Sequence, residues 1–420
     1  MKALVYRRSV PLYLLGRILG RIQPRRFFHR LAPFGLKEIP LPGNERGWVL
    51  LKNSLCGICG SDLGLLRGME SFLLEPYASF PAVLGHEIAS AVVAAPKDSE
   101  WNAGDRVVVE PLLSCAERGM PPCRFCSQGS YNLCESFTAG NLAAGPVIGY
   151  NRSLGGGMAE FMLASPGRLI RIPDSLTDEK AVLADSLASA LQPILDHFPR
   201  DDQTVVVLGA GILGQHAIRI LRALGSRARL AAVARYPFQQ ELARNGGADL
   251  VLKSPDRGEL GKAVGAKFIP TTLGGGNLEG GADLVFDFVA SRRSLQEALL
   301  ALRARGKYIM VGTAGSIGHV DFSSLWFREL RITGSSSYAF GNYEGQRVRT
   351  YQMAVDLLAK GYPTEGLLTH TYSLSAFARA FKTAFNKSGF KSVKVAIDLR
   401  KIAKNNSASM AASQSDEGAS

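Results

Sequence analysis

Six cysteines fall in the first third of a 420-residue chain, at positions 56, 59, 115, 123, 126 and 134. Four of them, in "CAERGMPPCRFCSQGSYNLC", give Cys115-x7-Cys123-x2-Cys126-x7-Cys134. Four thiolates so closely spaced match a closed tetrahedral zinc cage, which leaves no open coordination position for chemistry. The other two sit in "SLCGICGSDLGLL". There a Cys-x-x-Cys fits a redox disulfide, half of a zinc cage, or a metal ligand beside an unrelated buried thiol. His86 and Glu87 in "LGHE" are the candidate partners. A catalytic zinc needs about three protein ligands and one open position, and Asp185 in "VLADSLASAL" offers the third. The bland alternative is a buried thiol and a core histidine that never meet.

A second chemistry is written at "VVVLGAGILGQHAIRILRALG", where Gly209, Gly211 and Gly214 make GxGxxG directly after an apolar strand. Ile212 and Leu213 lie between the glycines and open an amphipathic helix with Leu213, Ala217, Leu221 and Leu224 on one face. The first glycine permits a tight turn and the second lets a pyrophosphate approach the backbone. The third allows helix and strand to pack closely, while the helix N-terminus favours phosphate charge. Cofactor type is decided at the end of the next strand, "LAAVARYPF". Ala234 stands where an acid would hold the ribose 2′-hydroxyl of NAD, and Arg235 follows it. An arginine pairs with a 2′-phosphate that an acid would repel, so the pattern predicts NADP(H) rather than NAD(H).

The elements that must position these groups follow two textures. Before about residue 180, short alternating runs such as "GWVLLKNSLCGIC", "AVLGHEIASAVVAA" and "GDRVVVEPL" predict strands. "TDEKAVLADSLASALQPIL" has helical spacing with Thr177 as N-cap. From 204 onward apolar strands at 204, 229, 282, 307 and 329 alternate with helices, the pattern of a parallel sheet. Residues 364 to 399 predict a helix and then a final strand, and the Ser/Ala/Asn-rich tail 401–420 predicts disorder.

The net charge of +13 is local: residues 1 to 37 hold nine Lys/Arg and no acid, and the rest of the chain carries only +4. A nucleic-acid partner is therefore not expected. Arg17 and Arg21 interrupt the apolar stretch of "SVPLYLLGRILGRIQPRRFFHRLAPFGL", which argues against a signal peptide. The segment 9–37 is expected to be an insertion folded on the protein's own surface, with a lipid-contacting helix over 9–34 as the alternative. No apolar run approaches the roughly 18 to 20 residues that span a bilayer. Clustered cysteines without a secretion signal suggest metal binding in a reducing compartment, the cytoplasm.

With "CGICGSD", "LGHE", "GDRVVVEP", the cysteine lobe, "GGGMAEF", "GAGILG", "KYIMVG" and "LWFRELRITGS" in hand, the chain resembles the zinc-dependent alcohol dehydrogenases of the medium-chain dehydrogenase/reductase superfamily. It is most similar to the threonine- and polyol-dehydrogenase-like branch. The resemblance covers residues 1–8 and 38–399 and implies an α/β protein in two parts. A GroES-like β-barrel catalytic domain, 1–190, carries the basic insertion 9–37 and a structural zinc lobe, 115–134. A Rossmann domain with a doubly wound parallel sheet takes 191–355, and 356–400 return to the catalytic domain. It further implies two Zn2+ per chain, with Cys59, His86 and Asp185 as catalytic ligands, Cys56 not a ligand, and Glu87 able to approach the metal. By the same resemblance Asp62 orients His86, Ser61 contacts the substrate hydroxyl and Ser189 lies against the nicotinamide. Val289, Val311 and Gly312 line the cofactor, and Lys394 lies near its pyrophosphate. The implied activity is hydride transfer between the nicotinamide and a small-molecule alcohol or polyol, in a homo-oligomer. The alternative is a nucleotide-binding member that has lost its chemistry. Two departures stand out: Gly64 replaces a histidine that closes a proton relay in many members, and Ser90 replaces a usual glycine.

Overall fold

The computed structural model describes residues 1–401 except 24, 29, 30, 44–46, 274 and 314. All but the first residue of the expected disordered tail lies outside the described residues.

The first half folds as antiparallel strands, as its alternating runs require. In the larger sheet the order is Leu368–Ser373, Lys394–Asp398, Val49–Gly57, Glu87–Ala94, Arg106–Val109 and Leu169–Arg171, with Phe161–Ala164 also paired to Val49–Gly57. The last strand of the chain thus lies in the middle of the sheet built by the first half. The helix expected within 364–399 is Phe377–Phe385, and the final strand Lys394–Asp398 follows it. A further strand, Leu368–Ser373, precedes that helix, where Thr369, Thr371 and Tyr372 suit a pleated surface, and it runs parallel to Lys394–Asp398.

Between these parts lies a six-stranded parallel sheet. Its order is Leu250–Leu252, Arg229–Val233, Thr204–Leu208, Ala282–Asp287, Leu302–Met310 and Arg331–Gly334. Numbered from its own first strand this is 3-2-1-4-5-6, the dinucleotide-binding order, with its switch point beside Thr204–Leu208. Two apolar clusters cover its faces, one through Val205, Val207 and Phe286 and one through Val206, Val285 and Tyr308. The helical run after Thr177 is split into Asp178–Ala181 and Ala184–Asp196. Thr177 holds the N-cap position without a side-chain hydrogen bond. The second helix runs through position 190, so the domain boundary placed there falls inside a helix rather than a linker.

The basic segment is an excursion from a hairpin. Lys2–Tyr6 pairs antiparallel with Phe34–Glu38, Tyr6 opposite Phe34, and the intervening chain forms the helix Val10–Ile22. That helix rests on the residues after Cys59. A Cβ on Gly16 would lie 3.3 Å from the Leu66 carbonyl, and the Tyr13 hydroxyl donates to the Glu70 carbonyl at 2.9 Å. Phe27 stacks on Phe385 at 5.2 Å.

One buried pair locks the final strand into this sheet. Lys394, 2% exposed, donates from Nζ to both oxygens of Glu87 at 2.6 Å. Burial works against the lysine charge, but the adjoining carboxylate outweighs it and holds the pKa above the ordinary lysine value. Space for the pair is made by Gly57, where a Cβ would lie 2.0 Å from Glu87 Oε2. Lys394→Met leaves a buried carboxylate unpaired and should cost about 3–5 kcal/mol, read as a lower urea midpoint. The double variant Glu87→Gln/Lys394→Met should recover part of that loss. A single variant within about 1 kcal/mol of the parent would contradict this account.

Candidate active site and metal centres

The four-cysteine lobe is built from turns rather than from a core. Cys115, Cys123, Cys126 and Cys134 bring their sulfurs within 4.8 Å of one another, and all six cysteines of the chain are free of disulfides. Backbone N–H groups of Cys123, Glu135 and Ser136 donate to Cys115, Cys123 and Cys134 at 3.3–3.5 Å. Against the upward push of burial, such donors pull the Cys123 thiol down to about 6. N–H donors aimed at sulfur stabilise thiolates, so the donor set fits a tetrahedral Zn2+. The lobe is clamped by the buried Arg118, which donates to the carbonyls of Leu113, Ala139, Leu142, Ala143 and Gly145. Glu110 ties it to the rest of the molecule, accepting from Tyr131 at 2.5 Å and from Arg349 Nε at 3.0 Å.

The second centre forms where the strand Val49–Gly57 gives way to the helix Gly60–Leu66. Cys59 is the N-cap of that helix, and Asp62 reaches back to its N–H at 2.9 Å in a capping box. Ligand atoms of Cys59, His86 and Glu87 lie within 4.8 Å of one another. Asp185 stands outside this group, with Oδ2 accepting from the Tyr338 hydroxyl at 2.5 Å. Cys56 also stands outside, its buried thiol directed at the Gly57 carbonyl at 3.6 Å and pushed well above the ordinary range by burial. Lys394, implied near the pyrophosphate, has its ammonium turned inward onto Glu87 instead.

The electrostatics of this centre call for a cation. Burial raises the pKa of Asp62 and pushes Asp185 up to about 6. Burial alone would lower His86, but Cys59, Asp62 and Asp185 outweigh it and raise the imidazole well above its usual value. His86 Nδ1, 4.0 Å from Asp62 Oδ1, is buried without a hydrogen-bond partner, and so is Ser61 Oγ. A thiol, an imidazole and a carboxylate around orphaned polar atoms fit Zn2+ with an exchangeable position.

Two residues here carried no signal in the sequence spacing. Tyr150 places its hydroxyl 3.4 Å from Asp62 Oδ1 and its ring 5.9 Å from that of His86. Tyr338 holds Asp185. Both departures found in the sequence have local accounts. Ser90 is buried and donates to Asn53 Oδ1 at 2.8 Å, while a Cβ on Gly64 would meet nothing within 4 Å. Ser189 is half-buried on Ala184–Asp196, one turn beyond Asp185.

At the sheet's switch point Gly209 has φ +91, a conformation that favours glycine. A Cβ on Gly214 would lie 1.9 Å from the Gly209 carbonyl oxygen, so helix Ile212–Ala223 can approach the strand only with glycine there. Gly211 is its N-cap, and a Cβ there would face open space. This cradle fits a pyrophosphate. Val289 abuts Gly209, and the N–H groups of Val311 and Gly312 donate to the Asp287 carbonyl at 3.0 Å. At the next strand end Ala234 is buried and Arg235 exposed, its guanidinium 5.7 Å from the Tyr236 ring.

Comparison with known proteins places the whole arrangement. Residues 45–174 match the alcohol dehydrogenase GroES-like domain, and residues 213–360 match the zinc-binding dehydrogenase domain. The chain is similar to the erythritol/L-threitol dehydrogenase of Mycolicibacterium smegmatis, 27% identical over 380 residues, 88% of this chain and 95% of that protein. It is also similar to a sorbitol dehydrogenase of Bacillus subtilis, 25% identical over 360 residues, 85% of this chain and 92% of the other. The crystal structure of 2R,3R-butanediol dehydrogenase from Bacillus subtilis shares the fold with a TM-score of 0.70 at 23% identity, covering 94% of this chain and 99% of that one. With a GroES-like part, a nucleotide-binding sheet and two clusters of metal-ligating residues, the chain belongs to the zinc-dependent alcohol dehydrogenase family of the medium-chain dehydrogenases/reductases.

Proposed function

We propose that this zinc-dependent oxidoreductase carries two Zn2+ per chain and moves hydride between NADP(H) and a small alcohol or polyol. The observation that carries the reading is the convergence of Cys59, His86 and Glu87 beside the unpartnered hydroxyl of Ser61. The polyol names of its relatives support the substrate class.

When bound, the metal supplies Lewis acidity to the substrate oxygen and the nicotinamide supplies the hydride acceptor. The chain does the rest. Cys59, His86 and either Glu87 or Asp185 would hold the metal, and Asp62 fixes the loop by accepting the Cys59 N–H. Ser61 Oγ, beside the Tyr150 hydroxyl and otherwise unpartnered, would accept a substrate hydroxyl's proton while passing on its own. Gly64 puts no imidazole behind it, so the proton leaves by water or by a neighbour such as Tyr150. Ser189 would pack against the nicotinamide, Val289, Val311 and Gly312 would line the cofactor, and the glycines 209, 211 and 214 with Ile212 and Leu213 would form its phosphate cradle. Six free thiols support a reducing location such as the cytoplasm. The strand Arg331–Gly334 is exposed along its length at a sheet edge, with Trp326 73% and Phe327 70% exposed beside it. Such an edge fits a second copy of the chain.

Metal analysis of Cys59→Ala should find zinc falling from two ions per chain to one. Turnover should fall about 1,000-fold or more, the several kcal/mol expected of a Lewis acid. Two ions retained with full turnover would overturn the assignment. Arg235→Ala should raise KM for NADP+ about tenfold or more and leave NAD+ unaffected; an equal change for both coenzymes would remove Arg235 from the recognition. Light scattering should give a multiple of the chain mass, and a single-chain mass would refute the edge pairing.

A further inference from the structure

The helix Val10–Ile22 has one face on the protein and, among the described residues, one left exposed. Inward, Tyr13, Gly16 and Gly20 meet the segment around Leu66, Arg67 and Glu70. Outward, Val10, Leu14, Ile18 and Ile22 recur every fourth residue and are 62%, 47%, 58% and 69% exposed. No residue of this helix is buried. The apolar surface does not stop at its edge. The short helix Phe72–Tyr77 lies alongside, joined by Tyr13 against Phe72 with ring centroids 5.5 Å apart. There Phe72, Leu73 and Leu74 are 60%, 84% and 60% exposed.

Charge says what such a surface meets. The segment from Met1 to Lys37 holds nine basic residues and no acid. Arg21 projects from the same exposed face, Arg25 follows its C-terminal end, and Arg17 lies over the Phe72 ring at 5.8 Å. Glu75, in the neighbouring helix, is matched by Arg8. An apolar stripe rimmed by arginines is the composition of a helix lying in a membrane interface, with its side chains in the acyl boundary and its cations among the headgroups. Among the described residues no helix is long and apolar enough to cross a membrane.

We propose that Val10–Ile22 and Phe72–Tyr77 together form a docking face for an anionic lipid surface. The helix lies flat on the bilayer, and the segment that follows Cys59 stands directly behind it. This placement does not depend on the coenzyme or substrate assigned above.

The test is co-sedimentation of the full chain with vesicles of phosphatidylcholine alone and of phosphatidylcholine with about 30% phosphatidylglycerol, a fraction that gives a strongly negative surface. Binding should appear with the anionic vesicles and weaken as salt is raised. Leu14→Glu/Ile18→Glu should weaken it about tenfold or more, because apolar burial is lost. Arg21→Glu/Arg25→Glu should abolish the preference for anionic over neutral vesicles. All four positions are exposed, so circular dichroism and the thermal midpoint should match the parent. Equal sedimentation with both vesicle types, or binding untouched by Leu14→Glu/Ile18→Glu, would overturn the proposal. So would light scattering in which that variant, without lipid, loses a self-association the parent shows, because the occupant would then be a second copy.

Discussion

A charged pair that water does not reach sets the terms for the rest of this molecule. Glu87 heads the strand that follows His86, and Lys394 heads the last strand, more than 300 residues away. Neither group is tolerable alone in the interior. The pair can form only if the chain leaves the first sheet, builds the parallel sheet, and returns. It also requires glycine at position 57, because any side chain there would occupy the space of the carboxylate. The position of the proposed metal ligands follows, since His86 is fixed by the residue beside it.

Around that pair the protein gathers groups that oppose one another. Asp62, Glu87 and Asp185 share a buried volume with Cys59, and His86, Lys394 and the nearby Lys387 offer positive charge. Tyr338 and the Cys59 amide each satisfy one carboxylate. Folding such a set costs desolvation that apolar residues would avoid, which is reasonable where a divalent cation completes the balance. The cysteine lobe makes the opposite use of metal-ligating residues. Its sulfurs are surrounded by backbone N–H donors, and its clamp, Arg118, binds carbonyls rather than acids.

Much of this was legible in the sequence because local chemistry leaves local spacing. Four cysteines at 7, 2 and 7, glycines at a strand end, and His-Glu before an alternating run each state a geometry over a few residues. The parallel strands were equally plain, since apolar runs alternating with amphipathic helices have few other uses. Long-range contacts were not legible. The contacts of Lys394 with Glu87, of Tyr338 with Asp185 and of Tyr150 with Asp62 join residues 88 to 307 positions apart in the chain, and no local spacing encodes them. The inclusion of Glu87 rather than Asp185 in the tight ligand group is of the same kind. The strand Leu368–Ser373 was hidden for another reason: its parallel partner, Lys394–Asp398, comes after it and beyond an intervening helix.

The hairpin that carries the basic helix has an architectural consequence. Tyr6 and Phe34 face each other in unbroken antiparallel register, so the 27 residues between them enter and leave the barrel at neighbouring points. Lengthening a connection of this sort costs little, about 0.6 kcal/mol for each doubling. The excursion is in effect an appendix to an otherwise complete fold, free to diverge at a pace of its own while the buried pair and the ligands stay fixed.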